Sequence, residues 1–147
     1  MNCAGCNLSG LQPGAIPLTG ANFSNANLTG SGLAHANLTG SNLSGATLIG
    51  TSLTSATLTG ANLSGANLTS ASLSSANLTG ANLSGANLTR AVVDHANLTG
   101  ANLSRANVTG ADLTGATLTG VGWAGATCPD GTGANSHGNT CVGHLSH

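Results

Sequence analysis

Residues 61–80 read Ala61-Asn62-Leu63-Ser64-Gly65, Ala66-Asn67-Leu68-Thr69-Ser70, Ala71-Ser72-Leu73-Ser74-Ser75 and Ala76-Asn77-Leu78-Thr79-Gly80. Each five-residue unit puts Ala first and Leu third, with polar residues or Gly elsewhere. A helix cannot use this spacing, because a period of five spreads Leu over every face of a 3.6-residue turn. An extended triplet can. Alternation along a strand points Ala and Leu to one side and Asn to the other. The remaining pair then turns a corner, where Gly accepts positive φ and a hydroxyl can bond nearby backbone. Strand and corner repeated at one angle close a polygon lined by Leu and Ala.

Outward from this stretch the same frame runs from Cys6 to Gly125 without insertion or deletion, which makes 24 units. Third positions hold 19 Leu, with Pro13, Phe23, Val93, Val108 and Trp123 as exceptions. First positions hold 17 Ala, the others being Cys6, Leu11, Ile16, Ser31, Ser41, Thr51 and Val121. A longer period sets the number of sides. Ser stands at 24, 44, 64, 84 and 104, and Asn at 22, 42, 62, 82 and 102. Thr stands at 19, 39, 59, 79, 99 and 119. Four units therefore make one coil, and residues twenty apart stack on one face. About six coils at the ~4.8 Å strand spacing give a rod of roughly 29 Å.

The units resemble those of the pentapeptide-repeat family, whose motif is Ala-Asp/Asn-Leu-X-X. That resemblance implies an all-β fold, a right-handed four-sided parallel β-solenoid, and handedness rests on it alone. The tail from Trp123 to Leu145, with Thr127-Cys128-Pro129-Asp130-Gly131-Thr132 and Thr140-Cys141, is similar to the C-terminal cap of exported bacterial members. The expected organisation is a Cys-containing start over 1–10, the solenoid over 11–125 and a Gly/Asn-rich, Cys-containing tail over 126–147.

Composition narrows the function. Lys and Arg number 2, Asp and Glu 3, and the net charge is −1. This lacks the basic footprint that phosphate backbones require, so no nucleic-acid partner is expected. No apolar run approaches the roughly 18 residues of a membrane span. Met1 leads directly into Cys3, so no signal peptide is expected in this chain. Family members that imitate DNA and protect gyrase from quinolones use an acidic surface and a dimerising C-terminal helix. In the repeat frame Asp replaces Asn only at Asp112, which disfavours that role here.

Cys3, Cys6, Cys128 and Cys141 stand at the two ends of the chain. Redox exchange at Cys3-x-x-Cys6 and a zinc site from Cys128, Cys141, His144 and His147 are both conceivable. Redox motifs of this spacing sit at helix N-termini, and no helix is expected. Two staples, Cys3 with Cys6 and Cys128 with Cys141, are the preferred reading, so no metal and no cofactor are expected. Paired cysteines point to an oxidising setting, extracellular or at the cell surface, with the signal peptide removed. His35 and His95 lie three coils apart, too far to share an ion. Arg90 and Asp94 read as a weak surface pair. Ser is too frequent for any triad to stand out, so no catalytic residue is expected.

Two roles remain. In the first, the rod is a structural or interaction element whose partner is another copy docked head to tail, or an unidentified surface partner. Solenoid ends show unpaired strand edges, and the bulky departures from the repeat at Leu11, Ile16, Val121 and Trp123 are the candidate end contacts, with Trp123 reading equally as a cap of the Leu ladder beneath the Cys128–Cys141 tail. In the second, a flat face binds ice, with Thr39, Thr57, Thr59, Thr79, Thr99, Thr117 and Thr119 as the candidate residues.

Overall fold

The structure is a computed structural model that describes residues 1–13, 17–134 and 140–143. Parallel bridges join residues twenty apart along four faces. Face I stacks Asn2, Asn22, Asn42, Asn62, Asn82, Asn102 and Gly122; face II stacks Asn7, Asn27, Thr47, Asn67, Asn87, Asn107 and Thr127. Face III stacks Gly32, Ser52, Ser72, Val92 and Asp112; face IV stacks Pro17, Asn37, Thr57, Asn77, Asn97 and Thr117. The ladder thus reaches from Asn2 to Thr127, past both ends of the five-residue frame.

One rung shows how the coils are tied. The Leu63 amide donates to the Asn82 carbonyl at 2.7 Å and the Gly65 amide to the Ser84 carbonyl at 2.9 Å, while the Asn82 amide donates back to the Ala61 carbonyl at 2.9 Å. Each corner closes locally, as where the Ala66 amide donates to the Leu63 carbonyl at 3.0 Å. A turn of this kind needs positive φ at its third residue, and Gly65 supplies it at 65°. Asn25, His35, Ser55, Ser70, Ser75, Arg90, His95 and Arg105 take the same conformation at φ between 55° and 61°. For a side-chain-bearing residue that costs of order 1 kcal/mol or more, which the corner and inter-coil hydrogen bonds offset.

The outward Asn turns out to be part of the corner. Asn67 Oδ1 accepts the Thr69 amide at 3.1 Å and the Thr69 hydroxyl at 2.7 Å. The corner hydroxyl was expected to bond backbone; it bonds the Asn of its own unit instead. Asn67 is accordingly half-buried rather than standing free in water.

Inside, Leu38, Leu43, Leu58, Leu63, Leu78 and Leu83 are all 0% exposed. The exceptions to Ala at the first position are informative. Ser31 and Thr51 are buried, and both hydroxyls donate to the Leu28 carbonyl, at 2.8 and 2.7 Å. Ser41 is 1% exposed, and among the described residues its hydroxyl has no partner. Ala21 and Ala61 flank it in the same column. Ser41→Ala is therefore expected to raise stability by about 1–2 kcal/mol, the desolvation penalty of an unpaired hydroxyl. Ser31→Ala, which deletes a made bond, is expected to gain nothing. Urea unfolding of both variants checks this, and a Ser41→Ala midpoint at or below that of the unmodified chain contradicts it.

Both ends are stapled. Cys3 and Cys6 are disulfide-bonded across the first corner, with Cα atoms 5.2 Å apart. Cys128 and Cys141 are bonded with Cα atoms 5.3 Å apart. At the C-terminal end Thr127 pairs antiparallel with Gly133, and the Ala134 amide donates to the Ala126 carbonyl at 2.8 Å. Cys128, Ala134 and Cys141 are all 0% exposed and join the buried core at this end as a cap. Trp123, expected to be an end contact, is 3% exposed. It closes the core instead of offering a surface.

Candidate functional site

Face IV carries the candidate ice-binding residues in two columns. Its fourth-position column is an unbroken Thr rank: Thr19, Thr39, Thr59, Thr79, Thr99 and Thr119. Its second-position column mixes Pro17, Asn37, Thr57, Asn77, Asn97 and Thr117. Thr39, Thr57, Thr59, Thr79 and Thr99 are half-exposed, and Thr117 and Thr119 are exposed. Backbone bonds lock the rank rung to rung. The Gly40 amide donates to the Thr59 carbonyl, Gly60 to Thr79 and Gly80 to Thr99, each at 2.9 Å. Asn oxygens fix the side chains: the Thr39, Thr79 and Thr99 hydroxyls donate to Asn37, Asn77 and Asn97 Oδ1 at 2.7 Å. Thr57-Leu58-Thr59 and Thr117-Leu118-Thr119 put Thr in both columns on their rungs.

The edge from face IV to face I is equally regular. Gly20, Gly40, Gly60, Gly80, Gly100 and Gly120 all take positive φ there. Beyond it, face I holds a feature that a column of Asn in the sequence signals without proving, an amide ladder. Asn22 Nδ2 donates to Asn2 Oδ1 at 3.2 Å, and Asn42, Asn62, Asn82 and Asn102 continue the chain at 3.4–3.5 Å. The ladder needs side chains one coil apart in matching rotamers, which spacing alone cannot establish.

Charge lies elsewhere. Arg90, Asp94, Arg105, Asp112 and Asp130 all fall in the C-terminal part of the chain, and none is on face IV. Asp94 meets the Ser74 hydroxyl at 2.5 Å rather than pairing with Arg90. Arg105 borders a shallow corner hollow with Ser84, Gly85, Ser104 and Ala124. The disulfide removes Cys128 and Cys141 from any thiolate zinc set, and His144 and His147 lie outside the described residues. Of the end-contact candidates, Leu11 is 38% exposed, Val121 is partly buried against the core, and Ile16 lies outside the described residues. No helix among the described residues is long and apolar enough to cross a membrane.

A four-sided parallel coil with stacked Leu and no charge on face IV defines a repeat solenoid. The family model for pentapeptide repeats matches residues 18–54, 46–85 and 81–120. The chain belongs to the pentapeptide-repeat family, and its coil is the right-handed β-helix of that family. It is similar to HetL, a pentapeptide repeat protein involved in heterocyst differentiation regulation from the cyanobacterium Nostoc sp. strain PCC 7120. That match has 31% identity, covers 90% of this chain and 78% of the other, and has a TM-score of 0.55. A second pentapeptide repeat protein of Nostoc PCC 7120, alr5209, is 37% identical over 55% of this chain and 63% of its own, with a TM-score of 0.46. QnrB1, a plasmid-mediated fluoroquinolone resistance protein, is 22% identical over 82% of this chain and 80% of its own, with a TM-score of 0.47. No curated protein sequence matches the chain.

The partner expectations are corrected accordingly. Docking of a second copy head to tail counted Trp123 among its end contacts, and Trp123 is buried in the core. At the other end Pro17 occupies a ladder position with no N–H to offer, a device that blunts strand edges. The remaining expectation, an unidentified surface partner with nucleic acid ruled out, rested on net charge alone. That expectation is withdrawn with the first; the solved structures similar to this chain include QnrB1, a plasmid-mediated fluoroquinolone resistance protein.

Proposed function

We propose that the chain is an exported, non-catalytic rod that binds ice through face IV. The observation that carries the reading is the unbroken rank of six Thr from Thr19 to Thr119 on a face without an ionisable group. Coil stacking repeats these hydroxyls every ~4.8 Å. A lattice of water oxygens is a periodic, uncharged partner, and a periodic, uncharged face complements it. Pre-organisation supports the same reading, since hydroxyls already held by Asn oxygens and backbone bonds lose little freedom on binding. Export is supported by the two disulfides, which persist in oxidising compartments. A solenoid core filled with Leu and Ala supports a non-catalytic role.

Thermal hysteresis tests the proposal. The unmodified protein is expected to depress the freezing point below the melting point and to shape ice crystals. Thr79→Lys, which puts a long hydrated cation at mid-rank, is expected to abolish hysteresis with the circular dichroism spectrum unchanged. A Thr79→Lys variant as active as the parent contradicts the assignment to face IV. An unmodified protein without hysteresis or ice shaping at high concentration ends it.

A further inference from the structure

The two disulfides stand in opposite environments. Cys128 and Cys141 are 0% exposed and hold the C-terminal cap. Cys3 and Cys6 are part-exposed and flank an exposed Ala4-Gly5 tip. Cys3 heads the face I core column, and burial deepens sharply below it: Phe23 is 3% and Leu43 0% exposed. Nothing lies within 4 Å of the position a Cβ on Gly5 would take, so the corner is open from outside.

The corner also stands without its staple. The Cys6 amide donates to the Cys3 carbonyl at 3.1 Å, the same turn bond that closes corners with no cysteine, such as the Ala46 amide to the Leu43 carbonyl at 3.0 Å. Three further bonds tie the corner to the second coil: Cys3 amide to Asn22 carbonyl, Gly5 amide to Ser24 carbonyl and Asn27 amide to Cys6 carbonyl, each 2.8 Å. A reduced pair would therefore remain side by side, ready to close again.

We propose that Cys3–Cys6 is a reversible thiol-exchange site, open to an external dithiol while Cys128–Cys141 stays closed. A thiolate of the dithiol attacks one of the two sulfurs; the Cys3–Cys6 bond breaks, its electron pair leaving as thiolate on the other cysteine. The second thiol of the dithiol then attacks the mixed disulfide and releases the remaining cysteine. Two electrons pass to the chain, the dithiol leaves as a disulfide, and its two protons end on Cys3 and Cys6. Access to the sulfur governs the rate of such exchange, and access is what separates the two bonds.

The test treats the native protein with dithiothreitol for increasing times, alkylates with iodoacetamide, then unfolds and digests with trypsin. Cleavage after Arg90 and Arg105 places Cys3 and Cys6 in one fragment and Cys128 and Cys141 in another. The first fragment is expected to gain two alkyl groups at least about ten-fold faster than the second, burial being the protecting factor. Circular dichroism should hold throughout, and oxidised glutathione added before alkylation should restore the bond. Equal rates, the reverse order, no reduction of Cys3–Cys6, or its reduction only alongside loss of the β spectrum would each overturn the proposal.

Discussion

Leu68→Asp is expected to unfold the rod at temperatures where Asn67→Asp stays folded. Leu68 is 0% exposed, between Leu48 and Leu88 in the core column of face II. Its replacement forfeits about 1.5–3 kcal/mol of burial. It also leaves a carboxylate without a partner among Leu and Ala, which costs several kcal/mol more or forces protonation. The total rivals the roughly 5–15 kcal/mol that holds an ordinary domain together. Asn67 is a different case because an oxygen is all its corner requires. Asp112 already serves that way, accepting the Thr114 amide at 2.9 Å and the Thr114 hydroxyl at 2.6 Å. Asn67→Asp is therefore expected to change stability by no more than ~0.5 kcal/mol. Thermal melts of the two variants settle the matter, and equal melting temperatures contradict the inward alternation of Leu.

Trp123→Ala is expected to cost about 3–5 kcal/mol, the usual range for emptying a large aromatic site in a core. Its damage should also be local. Trp123 ends the column that Cys3 begins on face I, and it belongs to the buried cluster that also holds Cys128, Ala134 and Cys141. Coils of a solenoid are coupled mainly to their neighbours, so loss of this closure frays the rod from one end. Hydrogen exchange reads the result by position. The amides of Asn107 and Thr127, which donate to Ala86 and Ala106 carbonyls, should lose protection. Those of Asn42 and Asn62, bonded to Ala21 and Ser41 carbonyls, should keep theirs. Uniform loss along the chain contradicts the nearest-neighbour picture, and no loss at Thr127 contradicts the capping role.

The five-residue and twenty-residue periods made the Leu ladder and the four faces legible, because both state directly which residues share a side. The role of Asn was not. A polar residue pointing away from the core looks like any solvated surface residue, and only the corner geometry shows Asn67 Oδ1 holding the Thr69 amide and hydroxyl. Positive φ at Arg90 or His95 was hidden for a similar reason, since propensity favours Gly and the stacked frame overrides it. Trp123 read equally as an end contact or as a cap of the Leu ladder, because the tail beyond it has no period. Its burial depends on how residues 126–134 fold back, which spacing cannot convey. The Thr rank of face IV was fully legible as a column. What the structure adds is its locking by Asn oxygens and the unbroken Gly edge beside it.

Whether face IV recognises ice is read out by partitioning into a slowly grown ice hemisphere. Growing ice rejects ordinary solutes, including folded proteins without a matching face. Fluorescently labelled unmodified protein is expected to be incorporated into the ice, in bands that mark particular crystal planes, while labelled Thr79→Lys stays in the liquid. Exclusion of both proteins from the ice, at the level of an inert control protein, would contradict it.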